Sequence, residues 1–141
     1  MGTLGHDTRW LDATAHAALV QRGDATPAEL TAAAADRIET LDGPINAVNL
    51  RWFDRAVERA AKEVPQGPLH GVPMLLKDLW ANYAGHPITN GNRALAAAGH
   101  RSTASTWLVE RQRALASRSP IAARTPNGRP PGSELAPEAR G

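Results

Sequence analysis

The chain has no cysteine, little aromatic content and no long apolar run. Without cysteine there is no disulfide framework and no thiolate zinc site. Aromatic residues make up 4% of the chain against 42% hydrophobic residues overall. Much of that apolar content is alanine, which buries little area per residue, so the expected core is thin for the length. No apolar stretch approaches the roughly 20 residues that span a bilayer. Met1 to Trp10 lacks the basic start and apolar centre of a secretory signal. The expected location is the cytoplasm, with no membrane partner. Charge of one sign is also scarce. From Met1 to Arg113 twelve basic residues face twelve acidic ones, and the net charge of +2 comes wholly from the residues after Arg113. Interspersed charges of this kind solvate helix faces. No nucleic-acid partner is expected.

What is present reads as an α/β pattern. Asp12 to Arg22 predicts a helix closed by Gly23. Thr26-Pro27-Ala28-Glu29 is a capping box with proline at the first helical position. The helix it opens is expected to run to about Leu41, burying Leu30, Ala34, Ile38 and Leu41, and to stop at Asp42-Gly43-Pro44. Ile45 to Leu50 reads as a strand. Phe53 to Glu63 reads as a helix with Phe53, Val57, Ala60 and Ala61 inward. After the lysine segment described next, Gly85, Pro87, Asn90, Gly91 and Asn92 mark a long loop. A short helix over 93–98 follows. A further helix over 104–113 is expected, capped by Ser102 or Thr103, with Trp107 and Leu108 on its apolar side.

The stretch Gly67-Pro68-Leu69-His70-Gly71-Val72-Pro73-Met74-Leu75-Leu76-Lys77-Asp78 carries the most chemistry. Two prolines fix φ and two glycines permit bends. Val72 to Leu76 then reads as a short buried strand. Lys77 falls at its end. A lysine desolvated there loses proton affinity, and a neutral lysine can act as a general base.

This stretch resembles the lysine-bearing segment of the amidase signature family, whose pattern G-P-L-x-G-(V/I)-P-x-x-x-K-D is met at Gly67, Pro68, Leu69, Gly71, Val72, Pro73, Lys77 and Asp78. The resemblance extends from about Trp10 to Arg113. It includes Asp12-Ala13-Thr14, Thr26-Pro27-Ala28-Glu29-Leu30 and Asn46-Ala47-Val48 upstream, and Ala84-Gly85 and Gly91-Asn92-Arg93-Ala94-Leu95 downstream. Within the family it looks most like the branch that includes cyclic nylon-oligomer hydrolases. The resemblance implies the N-terminal helices and first strands of a mixed, mostly parallel sheet, left incomplete. It implies hydrolysis of linear amide bonds by a Ser–Ser–Lys triad, with a small-molecule amide as substrate of a complete homologue. Lys77 takes the place of the catalytic lysine, and Asp78 that of a supporting acid. No cofactor and no metal are implied.

Both serines of that triad lack a counterpart, because the family's Gly/Ser-rich segment is absent from every position. Ser102 and Ser105 lie where helix capping is expected, and Gly132-Ser133 is followed by Glu134 rather than glycine. The chain is therefore expected to be truncated before both serines and inactive alone. Two regions follow: 1–113, the N-terminal part of an amidase domain, and 114–141, a tail. The tail holds five of the eleven prolines and few large apolar residues, so disorder is expected. Shifted by one base, codons for Ser117-Arg118-Ser119-Pro120 and Arg124-Thr125-Pro126-Asn127 are compatible with a family-like continuation. The tail thus reads as a frameshift product. The rival reading is a non-catalytic interaction or oligomerisation module, with its oligomeric state open. Five scattered histidines show no metal spacing. Trp80 and Tyr83, just past the lysine, are expected to line a substrate entrance in a complete enzyme.

Overall fold

In the computed structural model, residues 3–62, 67–115 and 121–125 are described. Helix α1 (Thr3–Asp7) precedes α2 (Ala13–Arg22), which starts on the Asp12 carboxylate accepting from the Ala15 N–H at 2.8 Å. Gly23, at φ 76°, closes α2 in the left-handed conformation that glycine adopts without steric cost. The capping box then forms as its residues dictate. Thr26 Oγ1 accepts from Glu29 N at 3.2 Å, and the Glu29 carboxylate accepts from Thr26 N at 2.8 Å. The Thr26 backbone N–H, and after it the Thr26 hydroxyl at 2.8 Å, donate to the Glu29 carboxylate and hold its pKa below the ordinary value.

Helix α3 spans Pro27–Ile45, so it does not stop at Asp42-Gly43-Pro44. Pro44 sits in the last turn, where only one helical bond is lost. Asp42 is the reason the turn persists. Its buried carboxylate accepts from Ala47 N at 2.6 Å, Val48 N at 3.2 Å and Arg51 Nη2 at 2.6 Å. Asn46, at φ 50°, returns its N–H to the Asp42 carbonyl. The expected strand over 45–50 shrinks accordingly to β1, Leu50–Arg51. Helix α4 (Phe53–Ala61) buries Ala56 and Ala60, while Phe53 and Val57 are half-buried and Ala61 is exposed. Glu63 lies outside the described residues.

Strand β2 (Met74–Lys77) ends on the lysine, as the sequence predicts. Its Leu76 is buried, whereas Leu75 is 39% exposed, so one face of the strand is covered and the other is not. Helix α5 (Arg93–Ala97) starts on Asn92, and α6 covers Trp107–Leu115. Helix α6 turns its Val109, fully buried, to the core, and leaves Trp107 and Leu108 outside. Successive helical residues lie roughly 100° apart, so packing α6 on Val109 turns Leu108 and Trp107 away from the core.

Strand β3 (Ile121–Thr125) corrects the expectation of disorder across 114–141. Residues 114 and 115 also belong to α6, and the remainder of that region is outside the described residues. Strand order is β1-β3-β2, with β3 antiparallel to β1 and parallel to β2. Lys77 lies opposite Thr125. The sheet is mixed and small. Leu76, Ala81, Tyr83 and Val109 form the core cluster beneath it, with Trp52 and Met74 packed alongside. Between α1, α3 and β2 an apolar groove of about 590 Å³ stays open, and Trp10, Leu41, Ile45 and Leu75 on its walls are exposed.

Candidate active site

The Gly/Pro turn positions β2 by contact with the first helices. Gly71 has φ 75°, and a Cβ there would lie 2.8 Å from Pro27 Cγ and 3.2 Å from Val20. Only glycine satisfies both the backbone conformation and the approach. His70 N bonds the Gly67 carbonyl at 3.0 Å and Val72 N the Leu69 carbonyl at 3.2 Å, which winds the turn tightly before the strand.

At the strand's far end Lys77 and Asp78 part company. Lys77 is exposed, and Asp78 is completely buried. Asp78 accepts from Thr89 N at 2.9 Å, from the Thr89 hydroxyl through a short hydrogen bond, and from Asn49 Nδ2 at 3.1 Å. A buried carboxylate is tolerated when donors surround it in this way. It ties the end of β2 to the segment before β1 and to the loop that follows, so the lysine beside it has a fixed backbone. The desolvation expected of Lys77 is not supplied by the described residues. Asn49 and Thr89 were invisible as site residues in the sequence, because they lie 29 and 11 positions from Asp78.

The two aromatic residues expected at a substrate entrance separate. Tyr83 is buried: its hydroxyl accepts from Arg59 Nη1 at 2.7 Å, His86 stacks on it at 4.0 Å, and the Arg113 guanidinium lies 5.0 Å from its ring centre. Among the described residues it is part of the core cluster. Trp80 is 75% exposed and holds φ 61°, a conformation rare for a bulky side chain. Ser102 donates to the Ala104 carbonyl at 2.8 Å and Ser105 Oγ accepts from Ala84 N at 3.1 Å. Both hydroxyls brace loops, and neither caps α6. Among the described residues no group of three or more metal-ligating side chains gathers, and no helix is long and apolar enough to cross a membrane.

A mixed sheet flanked by helices, with an exposed lysine at one strand terminus and a buried, bonded acid behind it, defines an α/β protein built to hold that terminus still. The family model described as Amidase matches residues 29–116, and the chain belongs to the amidase family. It is 36% identical over 105 residues to the 6-aminohexanoate-cyclic-dimer hydrolase of Paenarthrobacter ureafaciens, covering 74% of this chain and 21% of that protein. To the acylamidase of Rhodococcus erythropolis it is 36% identical over 113 residues, covering 74% and 23%. Solved structures agree. The 6-aminohexanoate cyclic dimer hydrolase complexed with substrate superposes with a TM-score of 0.71 at 31% identity, over 82% of this chain and 23% of that one. A bacterial aryl acylamidase of the amidase signature family also gives 0.71, at 30% identity, over 84% and 26%. The chain thus spans between 21% and 26% of the length of these relatives.

Proposed function

We propose that this chain carries the lysine-bearing part of a hydrolase of linear amide C–N bonds, and that Lys77 is the base of a Ser–Ser–Lys mechanism. In that mechanism one serine attacks the amide carbonyl. A second serine passes the proton to a neutral lysine, and backbone N–H donors hold the oxyanion. The observation that carries the reading is the β2 terminus, where an exposed lysine is followed by an acid fixed through Asn49 and Thr89. Asp78 acts as a positioning residue there. Its bonds restrain the turn from which Lys77 projects, and they place no charge on the reacting atoms.

The 141 residues contain no Gly/Ser-rich segment. Without either serine of the triad, the chain alone has no meaningful amidase activity. Loss of a nucleophile removes most of such an enzyme's rate enhancement, on the order of 10⁶-fold in well-studied serine hydrolases. The residues after Arg113 are read as the product of a neighbouring frame. Two measurements test this function. Sequencing the coding DNA through the codons for 113–141 is expected to reveal a Thr-Asn segment and a Gly/Ser-rich stretch in a shifted frame. If neither is present, the non-catalytic reading takes precedence. Rejoining the frame and assaying an aryl acylamide should then give hydrolysis that Lys77→Ala abolishes while leaving the fold intact. Full activity in Lys77→Ala would remove the lysine from the mechanism.

A further inference from the structure

A second set of cationic side chains lies outside the Lys77–Asp78 motif, around an opening of about 400 Å³ between β1, the first turns of α4 and the bridge that pairs Pro87 with Arg101. Arg51, Arg55 and Arg101 line it, with Trp52 and His86 as its ring-bearing walls. Each guanidinium is placed differently. Arg51 gives one nitrogen to Asp42 at 2.6 Å. Arg101 is anchored through Nη1 on the Gly85 carbonyl at 3.0 Å, and among the described residues its other donors make no further hydrogen bond. Arg55 makes no hydrogen bond or ion pair among the described residues. Asp54 shares the opening yet stands within ion-pair distance of none of the three. His86 is held by stacking on the buried Tyr83 and by an Nδ1 contact of 3.0 Å with the Ala84 carbonyl. Its ring also lies against Trp52, with centroids 5.4 Å apart.

Like charges gathered on a firm backbone repel one another unless an anion joins them, and a guanidinium offers a planar fork that matches two oxygens at once. We propose that this opening is a binding site for a small oxyanion, a phosphate or a carboxylate, held by Arg55 and Arg101 with Arg51 in support. Nothing in the hydrolytic reading uses these residues, so the site stands or falls independently of Lys77.

The test is a titration of the isotope-labelled full chain, followed by magnetic resonance at the Trp52 indole N–H and the amides from Leu50 to Arg55. Sodium phosphate, sodium succinate and sodium chloride are compared at matched ionic strength. Saturable shifts with phosphate or succinate, absent with chloride, are expected, and the anion that saturates at lower concentration identifies the source. Each partner here is solvent-exposed, so Arg55→Gln and Arg101→Gln should each weaken binding by about two- to fivefold. Asp54→Asn should strengthen it, and Lys77→Ala should leave it unchanged. Shifts that are linear and alike for all three salts would reduce the effect to screening and overturn the site. Saturation untouched by Arg55→Gln would also overturn it. That variant is the decisive one, because Arg55 makes no hydrogen bond or ion pair among the described residues.

Discussion

The α2–α3 helix pair and the β1-β3-β2 sheet draw their stability from different distances along the chain. In the helix pair almost every determining contact is local. Asp12 caps α2 three residues ahead, Gly23 ends it, and Thr26 and Glu29 cap α3 reciprocally across three positions. In the sheet every determining contact is remote. Strand β3 reaches Leu50 across more than seventy residues and Met74 across more than forty. Asp78 is satisfied by Asn49 and Thr89. The residue that carries the proposed chemistry stands on the remote-contact side. Its precision therefore depends on pieces that meet only after folding, and perturbation should cost more there.

The largest expected effect follows from Asp78. Replacing it by alanine removes the acceptor of the half-buried Thr89 N–H and hydroxyl and empties a fully buried position, while the exposed Asn49 amide turns to water; the chain should be destabilised by about 3 kcal/mol. Chemical denaturation checks this. Asp78→Asn, which keeps acceptor capacity on one atom only, should fall between the variant and the parent. A loss below about 0.5 kcal/mol, the range of ordinary surface changes, would show that the β2 terminus is not held by this carboxylate.

Gly71 joins the two regions, since it brings the lysine strand against Pro27 and Val20. Gly71→Ala should cost about 2 kcal/mol, from the left-handed backbone alone at about 1–2 kcal/mol plus the overlap with Pro27. Gly23→Ala supplies the contrast. Gly23 is also left-handed, but nothing lies within 4 Å of its added methyl, so only the backbone cost applies. Equal losses at the two sites would mean that the close approach at Gly71 carries no energy.

This contrast also explains which parts of the chain were legible in its sequence. Capping residues, the Gly/Pro turn and the strand that ends on Lys77 were readable because each signal lies within a few residues of its effect. The end of α3 was not. Asp42 followed by Gly43 and Pro44 has the composition of a stop, yet the Asp42 carboxylate gathers Ala47, Val48 and Arg51 and so carries the helix one turn further. Strand β3 was missed because Ile121 to Thr125 has little apolar period and gains its backbone partners from both neighbouring strands. Val109 was missed as the buried residue of α6 because Trp107 and Leu108 beside it are the larger apolar side chains, yet packing against Leu76, Ala81 and Tyr83 selects Val109. Tyr83 looked like an entrance residue from its place near Lys77, but its partners Arg59 and Arg113 lie 24 and 30 positions away in the chain.

Asp42 gives the comparison a pH axis. Burial alone would raise its pKa, but hydrogen bonds from Ala47, Arg51 and Val48 and the charge of Arg51 outweigh that, and the folded-state value is lowered. A carboxyl depressed on folding stabilises the native state fully above its unfolded pKa of about 3.9 and loses that contribution as pH falls through the folded value. Thermal midpoints should therefore drop below about pH 4. In Asp42→Asn the drop should be shallower, with a lower midpoint at neutral pH. Parallel pH profiles for the two proteins would remove Asp42 from acid unfolding.

The smallest effect belongs to the locally determined side. Thr26→Ala leaves the Glu29 N–H without its acceptor and breaks one half of the capping box, a change that costs about 1 kcal/mol at helix starts. The Glu29 carboxylate can still accept from the residue 26 backbone N–H, so the other half survives. Thr26→Ser should restore nearly all of the loss, because serine places the same oxygen without the methyl. If Thr26→Ala instead approaches the cost of Asp78→Ala, the α3 start is coupled to the lysine turn through Pro27 and Gly71. The two regions would then form one cooperative unit, and Thr26→Ala and Gly71→Ala combined would cost less than the sum of the separate losses.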